Sequence, residues 1–251
     1  MLAPESYVEW INNHVGFNPR GQAHSDYLTS CIVADLRTWC PRIDDEFAGM
    51  QLDLKHNVGL NGQRHTLSAA FAAASNDEGE DVDVDPNIDG VVLRTGWGLT
   101  GSGLATPIAI ENKTIMTAHG KARTNRWNDA RAFAEHVHRS SPATIAAFTI
   151  IINTAPGYRN PDQFARAAKS SGTNPATAAP RTIDLFRSMR LRSTSDDPIG
   201  RCEAPLILVV SYDGVTPTAR LVEGDPAPAP GQPFSYDWFL DRLCRLYAER
   251  N

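Results

Sequence analysis

At 251 residues, with 41% hydrophobic and 21% charged residues, the chain is long enough for one substantial core or two small ones and lacks the composition of a disordered segment. Its formal charge of −5 excludes a passive binder drawn to nucleic acid by global attraction, so any such contact must be local. No stretch reaches the roughly 18 apolar residues of a membrane span, and the opening MLAPESYVEWINNHVGF has neither the basic start nor the apolar run of a secretory signal. The expectation is a soluble, cytoplasmic protein with no membrane partner. Cys31, Cys40, Cys202 and Cys244 are widely separated, form no CxxC pair and join no histidine at zinc-site spacing, which predicts reduced thiols.

In HSDYLTSCIVADLRTW (24–39), Leu28, Ile32, Leu36 and Trp39 recur at helical spacing and Ser25 is a candidate N-cap. The alanine-rich HTLSAAFAAAS (65–75) predicts a second helix on backbone propensity. Acidic residues then gather in NDEGEDVDVDPNID (76–89), where Pro86 and Gly90 make a turn into a short strand, DGVVLR (89–94). The glycine-rich 94–107 connects it to a strand over IAIENKTI (108–115). Trp127, Ala130, Phe133, Ala134 and Val137 make a helical stripe over 125–137, and ATIAAFTIIIN (143–153) is a buried β-branched strand.

Helices are expected over 161–170 and, more strongly, over TIDLFRSMRL (182–191), with a further buried strand at PLILVVS (205–211). EGDPAPAPGQP (223–233) reads as a rigid exposed connector. Beyond it, Phe239, Leu243 and Leu246 line one face of a terminal helix at 235–249, with Ser235 as N-cap; this helix covers the core or forms a dimer contact. Strands separated by helices predict a single α/β domain over 1–251, a mixed central β-sheet flanked by helices.

Within the central strand Glu111 and Lys113 are two residues apart, so both side chains share a face while Asn112 points the other way. If DGVVLR runs beside IAIENK, Asp89 approaches Glu111, and two carboxylates from adjacent strands can hold a divalent cation completed by water and a substrate oxygen. Lys113 then faces the same water and phosphate. The simpler reading is a structural Glu111–Lys113 ion pair with Asp89 capping a turn. Beyond the strand, TAHGKARTNR carries His119, Lys121, Arg123, Asn125 and Arg126, with Gly120 letting the backbone turn. These side chains can contact phosphates or base edges, or form a solvated basic face.

NIDGVVLR (87–94), PIAIENK (107–113), the amphipathic helix and the apolar strand after it together resemble the PD-(D/E)xK nuclease superfamily. The resemblance implies a restriction endonuclease-like fold and Mg²⁺-dependent hydrolysis of nucleic-acid phosphodiesters. It gives Asp89 and Glu111 metal-ligand roles and Lys113 a water-orienting or charge-stabilising role. Size and layout are similar to type II restriction endonucleases, which implies sequence-specific cleavage of double-stranded DNA by a homodimer within a restriction system. Pro86 stands three residues before Asp89, so the literal PD pair is absent and Asp85 competes as a ligand; Asp26 or Asp35 could add a metal contact from the first helix. The alternatives are a noncatalytic DNA-binding protein with a nuclease-like fold and a nonspecific nuclease. A calcium loop is disfavoured by Pro86, a phosphate-binding P-loop by the missing GK[ST], and a serine hydrolase by the absence of GxSxG.

Overall fold

Three apolar runs rich in β-branched residues form the centre of the sheet: β4 (Ile108–Ile115), β5 (Ile145–Asn153) and β6 (Ala204–Ser211). A computed structural model describes residues 1–19, 21, 23–43, 50–53, 69–73, 90–93, 108–117, 119–140, 142–156, 158–159 and 175–250. The short strands β1 (Met50–Asp53), β2 (Ala69–Ala73), β3 (Gly90–Leu93) and β7 (Arg220–Leu221) extend the sheet to seven strands, paired in sequence order. The sheet is mixed. β4, β5 and β6 run parallel, whereas β3 pairs antiparallel with β4 and β7 antiparallel with β6.

Parallel neighbours need crossovers, and helices α3 (His119–Ser140) and α4 (Pro175–Arg187) lie in the two that join β4 to β5 and β5 to β6. Successive crossovers in the same direction and of the same hand put both helices on one face. There Phe133, Ala134 and Val137 of α3 and Ile183 and Phe186 of α4 pack on Phe148, Ile150 and Ile207. The other face is covered by α1 (Ala3–Asn13), α2 (Ala23–Trp39) and α5 (Tyr236–Arg250), whose Tyr7, Ile11, Leu28, Ile32, Phe239, Leu243 and Leu246 pack on Ile108, Ile110, Leu206 and Leu208. Phe239, Leu243 and Leu246 of α5 are thus part of this core.

Several expectations are corrected. The 65–75 segment contains strand β2, not a helix: pairing of Ala70 with both Asp53 and Val92 outweighs alanine's weak helical preference. α3 starts at His119, so the basic segment forms the helix's first turns. Gly120 sits within it, where an added Cβ would meet no atom within 4 Å, and does not turn the chain. α4 begins at Pro175, whose fixed φ suits a helix start, and stops at Arg187, earlier at both ends than 182–191. Ser25 lies inside α2 rather than at its cap; Ser235 does stand at the N-cap of α5, its carbonyl accepting from the Phe239 N–H at 3.0 Å and its hydroxyl donating to Asp237 Oδ1 at 2.5 Å. The 161–170 helix, the acidic 76–89 and the glycine-rich 94–107 lie outside the described residues.

The expectation of four reduced thiols is also overturned. Cys40 and Cys244 form a disulfide with a Cα–Cα distance of 5.5 Å, leaving Cys31 and Cys202 free. Their 204-residue separation conceals a proximity that α2 and α5 create by packing side by side. Asp35 reinforces the same junction by accepting from the Ala3 N–H and the Tyr236 hydroxyl, both at 2.6 Å. No described helix is long and apolar enough to cross a membrane.

Candidate functional site

β4 divides its side chains by parity. Ile108 and Ile110 enter the core under α1, α2 and α5, whereas Ala109 and Ile115 enter the core under α3 and α4. Asn112 follows the first set: its amide bonds Thr29 Oγ1 and, at 3.4 Å, Ser25 on α2. Glu111 and Lys113 share the other face, as their spacing predicts, and Lys113 Nζ lies 2.7 Å from Glu111 Oε1. The carboxylate side chain is only 3% exposed and that of the lysine 13%, so the pair is buried at its acidic end and reaches outward at its basic end. A carboxylate held so deep needs a cation beside it.

Beside β4, the antiparallel register pairs Gly90 of β3 with Glu111. Asp89, which precedes Gly90 in sequence, and Asp85 lie outside the described residues. Among the described residues no three His, Cys, Asp or Glu side chains converge as a metal-binding group. Glu111 is nonetheless a hard oxygen donor of the type Mg²⁺ takes, one or two carboxylates being enough when water and phosphate fill the remaining positions. Of the possible extra ligands on α2, Asp35 is engaged with Ala3 and Tyr236, and Asp26 stands in the first turn; neither lines the cavity described next.

Lys113 opens into a cavity of about 500 Å³. One wall is the start of α3, with Lys121, Ala122, Asn125 and Arg126; another is Pro19, Gly21, His24 and Ser25, and the buried Tyr158 also lines the cavity. Lys121 and Asn125 are exposed, while Arg126 pairs with Asp129 at 2.6 Å. None of the described lining residues is Asp or Glu; of the three lining cations, Lys113 is paired with Glu111 and Arg126 with Asp129. His119 and Arg123 do not line the cavity. His119 is buried, with Nδ1 3.4 Å from Thr182 Oγ1 on α4; burial pushes its pKa down against an opposing contact with the Asn153 backbone.

The Pro19 wall is fixed to β4. Its carbonyl accepts from the Thr114 hydroxyl at 3.1 Å and faces His24 Nε2 at 3.1 Å, while His24 Nδ1 faces the Tyr7 hydroxyl at 3.1 Å. Burial drives His24 down to about 4, outweighing the Pro19 contact, so the ring is neutral near pH 7, donating through Nε2 and accepting through Nδ1. Nothing in the sequence marked Pro19, His24 or Tyr158 for this cavity, because they arrive from segments remote from β4.

A second charged centre lies toward the start of β5 and β6. Buried Glu203 accepts from the Ala146 N–H at 2.9 Å, Arg192 at 3.0 Å, Arg250 at 3.1 Å and His138 Nε2 at 3.0 Å. His138 Nδ1 is 2.7 Å from the Ile199 carbonyl, and Arg242 donates to the Glu203 carbonyl. Burial pushes the Glu203 carboxyl up, but His138, the Ala146 N–H and Arg250 outweigh it and hold the pKa below the ordinary value. With every described contact internal, this is a structural knot joining α3, β5, β6 and α5. The only sequence signal for it is a glutamate directly before the apolar run APLILVV.

Comparison of the chain with family models, curated proteins and solved structures gives no match. The chain has an α/β fold with a mixed sheet between helices.

Proposed function

We propose that the protein is a Mg²⁺-dependent DNA endonuclease of the PD-(D/E)xK type, acting on double-stranded DNA as a sequence-specific, type II restriction-like homodimer. The observation that carries this reading is the Glu111–Lys113 pair, joined at 2.7 Å on one face of β4 with its lysine lining a cavity that Lys121 and Arg126 also line. The Gly90–Glu111 register supports it, since the strand preceded by Asp89 meets β4 at Glu111.

In this reading Asp89 and Glu111 hold the cation. When bound, Mg²⁺ supplies Lewis-acid polarisation of the phosphate and lowers the pKa of its water. Lys113 donates its ammonium hydrogens to the attacking water or a nonbridging phosphate oxygen, offsetting the charge that grows in the transition state. Water attacks phosphorus directly, with no covalent protein intermediate. Lys121, Asn125 and Arg126 hold the strand beside the scissile phosphate.

The closed ion pair also suits a noncatalytic DNA-binding protein, in which Lys113 merely neutralises Glu111. Incubation of purified protein with a randomised duplex library, followed by sequencing of the ends, separates the readings. Metal-dependent ends at one short motif, lost in Glu111→Ala and Lys113→Ala, support the endonuclease. Random metal-dependent ends favour a nonspecific nuclease, and duplex binding without ends under any divalent cation favours the noncatalytic reading.

A further inference from the structure

We infer that the outer face of α3 and α4 binds the phosphate backbone of duplex DNA beyond the cut site, through Lys121 and Arg131 of α3 and Arg181 and Arg187 of α4. The choice of a duplex rests on the nuclease reading, whereas the face itself rests on charge. In a chain of net charge −5 the two helical layers have opposite signs. α3 and α4 carry seven lysine and arginine side chains against three carboxylates, and α1, α2 and α5 carry four against seven. The two cationic helices are neighbours: His119 Nδ1 is 3.4 Å from Thr182 Oγ1, and the rings of Trp127 and Phe186 meet edge to face at 5.9 Å. Their charges therefore act together on one surface.

Internal pairing does not account for these cations. Both carboxylates of α3 are taken, Asp129 by Arg126 at 2.6 Å and Glu135 by Arg139 at 2.5 Å. Lys121, Arg131, Arg181, Arg187 and, just beyond α4, Arg190 are exposed, and none makes an ion pair among the described residues. Asp184 stands three residues from both Arg181 and Arg187 and offsets only part of their charge. Like charges on adjoining helices repel, a cost that the fold does not need and that a bound polyanion removes. All but one of the five are arginines, whose planar fork matches two phosphate oxygens at once. The 22 residues of α3 span about 33 Å, close to the roughly 34 Å of one duplex turn. Duplex DNA carries a charge about every 1.7 Å of its axis, so it supplies phosphates along the whole face.

The test is duplex binding by fluorescence anisotropy over a salt series, with Ca²⁺ present, for the full chain and for Arg181→Gln, Arg187→Gln and Arg245→Gln. Arg181 and Arg187 are exposed, so their loss removes charge without opening the core; Arg245, exposed on α5, is the charge-matched control on the opposite layer. Arg181→Gln and Arg187→Gln should each weaken binding severalfold and lower the salt slope by nearly one unit, and the double variant by nearly two. Arg245→Gln should keep the slope of the unmodified chain. Poly-glutamate at equal charge should compete at least tenfold less well than unlabelled duplex. Slopes unchanged in Arg181→Gln and Arg187→Gln, an equal fall in Arg245→Gln, or no duplex binding at low salt overturns the face. Equal competition by poly-glutamate also overturns it, in favour of an acidic protein partner. A Mg²⁺ cleavage assay on the unmodified chain keeps the two ideas apart. Slope losses without cleavage leave the face and remove the nuclease, whereas cleavage with unchanged slopes does the reverse.

Discussion

Lys113 and Glu111 form an ion pair whose acid is sealed in the sheet–helix interface and whose base reaches a cavity, an asymmetry that gives each partner a separate way to fail. Removing Lys113 takes the ammonium at 2.7 Å away from a buried carboxylate; removing Glu111 leaves a lysine that can still reach toward the cavity. Breaking a buried pair from one side costs about 3–5 kcal/mol. Lys113→Met should therefore destabilise more than Glu111→Gln in urea unfolding, and the double variant should recover much of the loss. If the pair is catalytic, cleavage in all three should fall by at least about 100-fold, the effect of losing one preorganised charge. Recovery of cleavage along with stability in the double variant would show the pair to be structural.

Parity on a strand is a local property, and this explains why Glu111, Lys113 and the opposite-facing Asn112 were legible from sequence. The strands over 108–115, 143–153 and 205–211 were legible for the same reason: each is a short β-branched run between polar segments. Contacts made over long separations were not. The Cys40–Cys244 bond, the Asp35–Tyr236 bond and the His24–Pro19–Thr114 chain depend on helix packing that no spacing encodes. The 65–75 segment failed in the opposite direction, because its alanines state a preference that neighbouring strands override.

His24 makes the Pro19 wall sensitive to acid. Its folded pKa of about 4 lies below the ordinary 6.5, so the unfolded chain binds the proton more readily. The stabilisation is full above pH 6.5 and is lost as pH falls toward 4, by up to about 3 kcal/mol. Denaturant midpoints across that window should fall with acidification, and the slope should flatten in His24→Gln. An unchanged slope would show that His24 is not neutral and buried in solution.

Glu203 acts in a lower window. Because its folded pKa is depressed, its contribution is present above the unfolded value near 4.5 and disappears as pH falls through the folded one. Glu203→Gln leaves Arg192 and Arg250 without their carboxylate and should cost about 3–5 kcal/mol at pH 7. The cost should shrink below pH 4.5, whereas DNA cleavage per folded molecule should persist, since the knot lies away from Lys113. Thermal unfolding at pH 7 and pH 3.5 checks the first point, and activity normalised to folded protein checks the second.

The Cys40–Cys244 bond closes a loop of about 200 residues, and a native disulfide typically contributes about 2–4 kcal/mol by restricting the unfolded chain. Thiol titration of denatured, unreduced protein should find two reactive thiols, rising to four after reduction. Reduced protein and Cys40→Ser should melt at a lower temperature. Four thiols before reduction would refute the bond, and an unchanged melting temperature would show that α2 and α5 hold together by packing alone.

Lys121 and Arg123 test how the start of α3 meets a strand. Lys121 is exposed and lines the cavity, Arg123 is half-buried beside it without lining it, and Arg126 already has Asp129 as a partner. A cation that neutralises a phosphate releases a counterion, so its removal lowers affinity at all sequences and reduces the salt slope by nearly one unit. Lys121→Ala should do this fully and Arg123→Ala less. Arg126→Ala should also release Asp129, leaving an extra negative charge near the cavity and a larger loss than one contact accounts for. Asn125→Ala, which changes no charge, should leave the slope unchanged; if Asn125 reads a base, its effect should be confined to one DNA site. Fluorescence anisotropy with Ca²⁺ replacing Mg²⁺, over a salt series and on two unrelated duplexes, measures all four variants. Equal slopes for Lys121→Ala and the unmodified chain would remove this helix from the DNA-binding surface.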